Sequence, residues 1–365
     1  ITSWGIQNKC IDRIEVLTFV DNGTSIKWMK EAGAKVQNLL TKGSLNHLNF
    51  QLKQKPEEHF NNIKNSIECA LNEGFKTNVY LEDWSNGMVN SQDYVFRYLD
   101  FISKQPVNRI LLPDTLGILT PNKTSEYINT IINRYPNLHF DFHGHNDYDL
   151  SVANCMEAVK AGVKGLHLTV NGMGERAGNA PLASVVAVLN DFLPETKINI
   201  KEDSLHKVSQ IVATFTGFRI PANKPIVGEN VFTQTAGIHA DGDHKNNLYF
   251  NDLLPERFGR KRKYALGKTS GKANIQKNLQ ELGLTLNNED LKKVTKRIIA
   301  LGDRKERVTI EDLPFIISDV LGNDIPNKIK VQSYVLTHSK GLKPTTSVCI
   351  QIDNKTFEEN ASGDG

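Results

Sequence analysis

The run His139-Phe140-Asp141-Phe142-His143-Gly144-His145-Asn146-Asp147 holds two histidines two residues apart. On a strand, positions i and i+2 face the same side. His143 and His145 can therefore converge on one divalent cation, for which imidazole is a good ligand. The competing reading makes one a core histidine and the other a loop residue. Asn146 and Asp147 follow directly, placed to fix the imidazoles by hydrogen bonds as metal-bound histidines require. A second segment, Asn171-Gly172-Met173-Gly174-Glu175-Arg176-Ala177-Gly178-Asn179, packs glycines, a carboxylate, a guanidinium and two amides together. Its glycines miss the GxGxxG spacing of a phosphate cradle by one residue. They suit a backbone that passes close to a metal or a substrate.

Glu82 and Asp83 follow the apolar Tyr80-Leu81, and Asp114 and Thr115 follow Leu111-Leu112-Pro113. A lone strand-end carboxylate is usually a solvated loop charge. Several polar strand ends in series are how a barrel active site is assembled.

Positioning these groups requires parallel strands. Six runs rich in β-branched and aromatic residues, at 13–20, 35–40, 77–82, 108–114, 138–144 and 165–170, alternate with stretches of helical period. That is the pattern of successive βα units. Thr120-Pro121 marks one helix start as N-cap and first-turn proline, Asp149 marks another, and Gly162 marks a helix end. Six units fit either an open doubly wound α/β sheet or a (β/α)8 TIM barrel without its first two βα units. From about 195 the texture turns helical, as at 203–218 and 288–304, around a polar stretch at 221–266. The last forty or so residues alternate apolar and polar with period two, as exposed antiparallel strands do.

The 44 basic and 41 acidic residues leave a formal charge of +3, no global reason to expect nucleic acid or an anionic membrane as partner. No window nears the ~20 apolar residues of a membrane span and no signal peptide opens the chain, so a cytoplasmic location is expected. Cys10, Cys69, Cys155 and Cys349 are too scattered for a CxxC pair or a disulfide framework and read as buried thiols. Gly267-Lys268-Thr269-Ser270-Gly271-Lys272-Ala273 is not a P-loop, because three residues rather than four separate its glycines and Ala273 stands where Ser or Thr is needed.

HGHNDYDLSVAN (143–154), NGMGERAGNAPL (171–182) and GENVFTQTAGIHADG (228–242) resemble the acyl-CoA-condensing, metal-dependent barrels: the isopropylmalate, homocitrate and citramalate synthases. The resemblance covers essentially the whole chain. NLLTKGS (38–44), VYLEDWSNG (79–87), NNLY (246–249) and LPERFGRKR (254–262) look most like the citramalate synthases. The resemblance implies a divalent metal (Mn2+, Mg2+, Zn2+ or Co2+) held by His143, His145 and Asn179, with acetyl-CoA as co-substrate. It implies Glu82, His239 and Tyr249 in catalysis, and Leu17, Leu40, Tyr80, Thr115, Asp241 and Asn247 around the substrate. The bulk of Leu17, Leu40 and Tyr80 favours pyruvate over a larger 2-oxo acid; their other reading is as ordinary barrel-core side chains.

The expected reaction is a Claisen-type condensation giving (R)-citramalate in the isoleucine branch of amino-acid biosynthesis. Residues 1–195 would form a partial catalytic barrel, 196–325 helical linker subdomains over the active site, and 326–365 the start of a regulatory domain for an amino-acid effector. A homodimer with subdomain exchange at the active site is also implied. The basic run at 257–263 could touch CoA phosphates or be a solvated face. The family's first-strand Arg-Asp-Gly-x-Gln string is absent, and the chain begins at Ile1 and stops after NASGDG. It therefore reads as truncated at both ends and, by itself, inactive. The rivals are a 2-isopropylmalate synthase using 2-oxoisovalerate, a lyase running the reverse cleavage, and a non-catalytic effector-binding paralogue.

Overall fold

The computed structural model describes residues 1–322, 329–341, 343–352 and 355–363. These fall into two compact units, one of residues 1–232 and 251–261, the other of 233–250 and 262–365.

The first unit is built on six strands: β1 (Glu15–Phe19), β2 (Val36–Lys42), β3 (Lys76–Glu82), β4 (Arg109–Asp114), β5 (Phe140–Gly144) and β6 (Gly165–His167). They are all parallel and lie side by side in sequence order. A doubly wound sheet needs a point where the order reverses; this sheet has none, and its winding is that of a TIM barrel. All six expected strands are present. The sixth stops three residues early: Thr169 is still extended but bridges Pro181 rather than β5, and Val170 already belongs to a short turn, Val170–Gly172.

Strand alternation divides the side chains between two faces. Leu39, Val79, Leu81, Ile110, Leu112, Phe140 and Phe142 form one core with Ile63 and Ile67 of the helix Pro56–Asn72, Tyr98 and Leu99 of Gln92–Ile102, and Ile128 and Ile131 of Pro121–Arg134. Each such side chain contributes about 1.5–3 kcal/mol by leaving water. The alternate positions, Asn38, Leu40, Lys42, Asn78, Tyr80, Glu82, Arg109, Asp141 and His143, occupy the opposite, inner face.

Thr120 caps its helix as expected, its hydroxyl accepting from the Lys123 N–H at 3.4 Å. Asp149 does not cap the helix Ser151–Lys160. It sits at φ 59°, and the Asn146 carboxamide oxygen accepts from the Ser151 N–H at 3.2 Å instead. Gly162, at φ 105°, lies just past that helix, as its spacing implied.

In the second unit, Leu266, Ile275, Leu279, Leu291, Val294, Ile298 and Leu313 form a separate core among the helices Lys272–Glu281, Asn288–Asp303 and Leu313–Leu321. The strands Ile329–Thr337, Thr345–Ile352 and Lys355–Ser362 form an antiparallel sheet with Thr345–Ile352 at its centre. The expected boundary at 325/326 lies outside the described residues. All four cysteines are free thiols, and Cys155 alone among them is fully buried. No helix among the described residues is long and apolar enough to cross a membrane.

Candidate active site

His143 ends the inner-face row of β5 and His145 lies just beyond it. The segment carrying Asn179 folds back along this strand end. His145 bridges Asn179, the Asn146 N–H donates to Gly178 O at 2.9 Å, and the Ala180 N–H donates to Gly144 O at 3.0 Å. The fold-back requires glycine at 178: its φ is 86°, and a Cβ there would stand 1.9 Å from Gly172 O.

The His143 and His145 rings lie 5.0 Å apart between centroids. Nδ1 of each ring and Oδ1 of Asn179 are buried without a hydrogen-bond partner. The Asn179 amide is fixed by donating to Met173 O at 2.9 Å, which leaves Oδ1 as an available acceptor. Burial, reinforced by His145 and His167, lowers the His143 pKa to about 3. Burial and Arg176 also lower that of His145. Both rings are therefore neutral at pH 7, the state in which imidazole binds a metal. Two neutral imidazoles and an amide oxygen, each with an unpartnered buried atom, fit a divalent cation. Among the described residues no third His, Cys, Asp or Glu joins them.

Asn146 and Asp147 do not hold these rings. Asn146 is taken by the helix start, and Asp147 pairs with Arg176 through contacts of 2.7 and 2.9 Å. Arg176 also donates to Thr115 O at 2.8 Å, tying the Asn171–Asn179 stretch to the end of β4. The Thr115 hydroxyl accepts from the Asp83 N–H at 2.8 Å and keeps its own proton for donation. Asp83 is buried, with Ser44 at 2.6 Å and Asn86 at 2.7 Å on its carboxylate. Asp114 is likewise buried and accepts the Ile118 and Leu119 N–H groups at 3.0 Å each; burial outweighs these bonds and raises its pKa. Both aspartates organise the loops beneath the site.

Glu82 forms an ion pair with Lys42, its direct neighbour across β2 and β3. Lys42 is 6% exposed and is held by its backbone. Its N–H donates to His59 Nε2 at 3.2 Å, and its C=O accepts from Tyr94 at 2.8 Å. Leu40 and Tyr80 are adjacent on the same inner face, and the Tyr80 ring lies 5.7 Å from that of His143. Leu17, on the outermost strand, is 53% exposed.

Deeper on the inner face lies a charged cluster. Asp141 is fully buried, contacted by Arg109 at 3.1 Å, His139 at 2.8 Å and His167 at 3.5 Å. Burial alone would raise its pKa, but the His167 hydrogen bond and the Arg109 charge more than offset that and hold it below the usual value. Arg109 also pairs with Glu15. The His167 ring lies 6.2 Å from that of His143.

The other expected residues belong to the second unit. His239 and Tyr249 are brought together there, ring centroids 4.3 Å apart. Asp241 pairs with Lys245 at 2.6 Å, and Asn247 adopts a left-handed φ of 55°.

Two arginines of the 257–263 run are engaged within the fold rather than displayed on a solvated face. Arg257 binds Asp191 and Glu202 at 2.7 and 2.8 Å, and Arg260 donates to the carbonyls of Ile226, Gly228 and Glu229.

Sequence reasoning passed over Lys42, Asp141 and His167. For the first two the signal was available: Lys42 and Asp141 each sit two residues from a position already singled out, Leu40 or His143, and share its strand face; no singled-out neighbour pointed to His167.

Sequential parallel strands with polar groups gathered at their C-terminal ends define the TIM-barrel class of α/β proteins. The HMGL-like family pattern matches residues 8–212, and a homocitrate synthase post-HMGL domain-like pattern matches residues 226–306. The chain belongs to the HMGL-like family. It is 33% identical over 336 residues to a putative (R)-citramalate synthase of Methanopyrus kandleri, covering 92% of this chain and 65% of that protein. A putative (R)-citramalate synthase of Archaeoglobus fulgidus is also 33% identical over 336 residues, covering 92% of this chain and 68% of that protein. A 2-isopropylmalate synthase of Methanocaldococcus jannaschii is 35% identical over 327 residues, covering 87% of this chain and 62% of that protein. The chain thus spans about two thirds of the length of these relatives. A crystal structure of hydroxymethylglutaryl-CoA lyase from Pseudomonas aeruginosa shares the fold, with a TM-score of 0.50 and 16% identity over 57% of this chain and 71% of that one.

Proposed function

We propose that the chain carries the catalytic machinery of an acyltransferase that condenses the acetyl group of acetyl-CoA with a small 2-oxo acid, pyruvate, to give citramalyl-CoA, whose thioester is then cleaved by water to (R)-citramalate and CoA. The observation that carries this reading is the group of unpartnered buried acceptors on His143, His145 and Asn179, at the strand ends of an HMGL-like barrel. A divalent cation held there would polarise the acceptor's keto carbonyl as a Lewis acid.

The chain's own residues supply the rest. Glu82 accepts a proton from the acetyl methyl group, and Lys42 holds that carboxylate in place. The Thr115 hydroxyl donates to the acceptor's carboxylate. Leu40 and Tyr80 form the wall against the acceptor's alkyl group, with Leu17 beside them, where one methylene is worth ~1–3 kcal/mol of discrimination. His239 and Tyr249 act as a pair in proton transfer, with Asp241 and Asn247 assisting substrate binding.

Condensation with 2-oxoisovalerate is the second reading, favoured by the likeness to a 2-isopropylmalate synthase. CoA-thiol release is measured with acetyl-CoA, a divalent metal, and pyruvate or 2-oxoisovalerate in turn. Turnover confined to pyruvate and lost in His143→Ala supports citramalate formation; preference for 2-oxoisovalerate replaces it with the second reading; no turnover with either acid overturns both. The homodimer and the amino-acid effector are part of the proposal, tested by sedimentation velocity with and without isoleucine and leucine.

A further inference from the structure

Within the second unit, His239 belongs to the helix Gly237–His244 and Tyr249 to the turn that follows it. No hydrogen bond joins the two side chains among the described residues, so their 4.3 Å ring separation is set by what surrounds them. Residues three and four apart on a helix share a face, which puts His239, Gly242 and Asp243 on one side. Gly242 is the seat of Tyr249: a Cβ there would overlap the phenol ring. The chain turns back over this seat through Asn246 and Asn247, both at positive φ. The Lys245 and Leu248 N–H groups close the turn by donating to Gly242 O at 2.9 and 3.2 Å.

The Asp243 side chain is buried, 2% exposed, with the Arg262 guanidinium 3.6 Å from its carboxylate and the Tyr264 hydroxyl donating to it at 3.1 Å. Burial and the Asp243 charge raise the Tyr264 pKa to about 12, so the phenol keeps the proton it donates. The Arg262 side chain, 13% exposed, lays its guanidinium over the Phe250 ring, 3.8 Å from the centroid. Phe250 adjoins Tyr249 in the chain. The contacts therefore close a ring: from His239 along its helix to Asp243, through Arg262 to Phe250, and back through Tyr249. Tyr264 anchors this ring to the rest of the unit, since it pairs with Gln234 in a short parallel ladder and its C=O accepts from the Asn278 amide at 2.8 Å.

A buried ion pair adds little net stability, because the cost of desolvation offsets the attraction. This one also leaves Asp243 Oδ1 and Arg262 Nε without partners. What the pair supplies is a fixed geometry between the helix of His239 and the turn of Tyr249.

We propose that Asp243 and Arg262 are positioning residues that hold the His239 and Tyr249 side chains in register for proton transfer. The proton-transfer role rests on the proposed function, whereas the geometry is read without any assay of activity.

The test compares the full chain with Asp243→Asn, which keeps the shape of the side chain, and with Arg262→Met, which keeps its length. Circular dichroism verifies folding, and Asp243→Asn decides alone if Arg262→Met does not fold. A tyrosine ring 4.3 Å from an imidazole displaces the imidazole proton resonances by its ring current, which NMR of histidine-labelled protein reads. His239→Gln assigns the signal, and Tyr249→Leu gives the reference without the ring. Each folded variant should lose at least half of the displacement; an unchanged displacement overturns the proposal. With whichever 2-oxo acid is turned over, kcat should fall about 10–100-fold at an unchanged KM for that acid. The solvent deuterium isotope effect on kcat should rise, a change that a smaller folded fraction cannot produce. Loss of the displacement with kcat and its isotope effect unaltered would also overturn the positioning role. Loss of the displacement in the variants of a chain that turns over no 2-oxo acid would support the clamp and count against the proposed reaction alone.

Discussion

Lys42 and Glu82 stand opposite each other at the ends of β2 and β3 and form an ion pair on the inner face of the barrel, the lysine side chain 8% exposed and the carboxylate 25%. This asymmetry decides which partner the fold can spare. Without the lysine, the carboxylate reaches water; without the carboxylate, the ammonium is stranded. Lys42→Met should cost no more than ~1 kcal/mol of stability, and Glu82→Leu about 3 kcal/mol. Urea unfolding of both variants checks this, and equal losses would contradict it.

His143→Ala and His145→Ala should each abolish stoichiometric binding of a divalent metal. Asn179→Ala, which removes a single amide oxygen, should weaken it by roughly 10–100-fold. Titration with Mn2+ or Co2+ followed by metal analysis reads this without any assay of activity. Retention of full affinity in His143→Ala would remove His143 from the metal site.

Gly165 faces Asp141 so closely that an added Cβ would lie 2.3 Å from the carboxylate oxygen. Arg109 and His139 hold that carboxylate at 3.1 and 2.8 Å, so it cannot give way. Gly165→Ala should destabilise the chain by about 1–3 kcal/mol. Gly267→Ala, with nothing within 4 Å and no positive φ, should stay within ~0.5 kcal/mol of wild type. Thermal unfolding distinguishes the two.

Burial lowers the His59 pKa to about 4, so its ring is neutral and its Nε2 accepts from the Lys42 N–H. The unfolded chain, with an ordinary histidine pKa near ~6.5, takes up this proton first. The contribution is therefore complete above about pH 6.5 and is lost as pH falls toward 4, by roughly 3 kcal/mol in total. His59→Gln should flatten the fall in stability between pH 7 and 4. An identical pH dependence in the variant would exclude His59 as its source.

The strands were legible because parallel strands covered on both faces carry short apolar runs, as in ILLP (110–113) and VYL (79–81). The pairing of His143 with His145 was legible because strand periodicity is local. Asn146 and Asp147 were misread for the opposite reason: their spacing allowed them to reach the imidazoles, but a helix start and Arg176 made better use of them. Within the basic run at 257–263, the solvated-face reading fails for Arg257 and Arg260 alone, since Asp191, Glu202 and the carbonyls that engage them come from distant parts of the chain.

What the amino-acid sequence determined by itself was local: the order of βα units, the strand face bearing two histidines, the helix start at Thr120 and the stop at Gly162. What the tertiary structure decided was every relationship across strands. The ladder register set Lys42 against Glu82, the sheet's curvature gathered Glu15, Arg109, Asp141 and His167 from four strands, and the fold-back through Gly178 carried Asn179 to His145. The physical reason is that periodicity fixes the side a residue faces, whereas its partner depends on register and on packing between segments far apart in the chain.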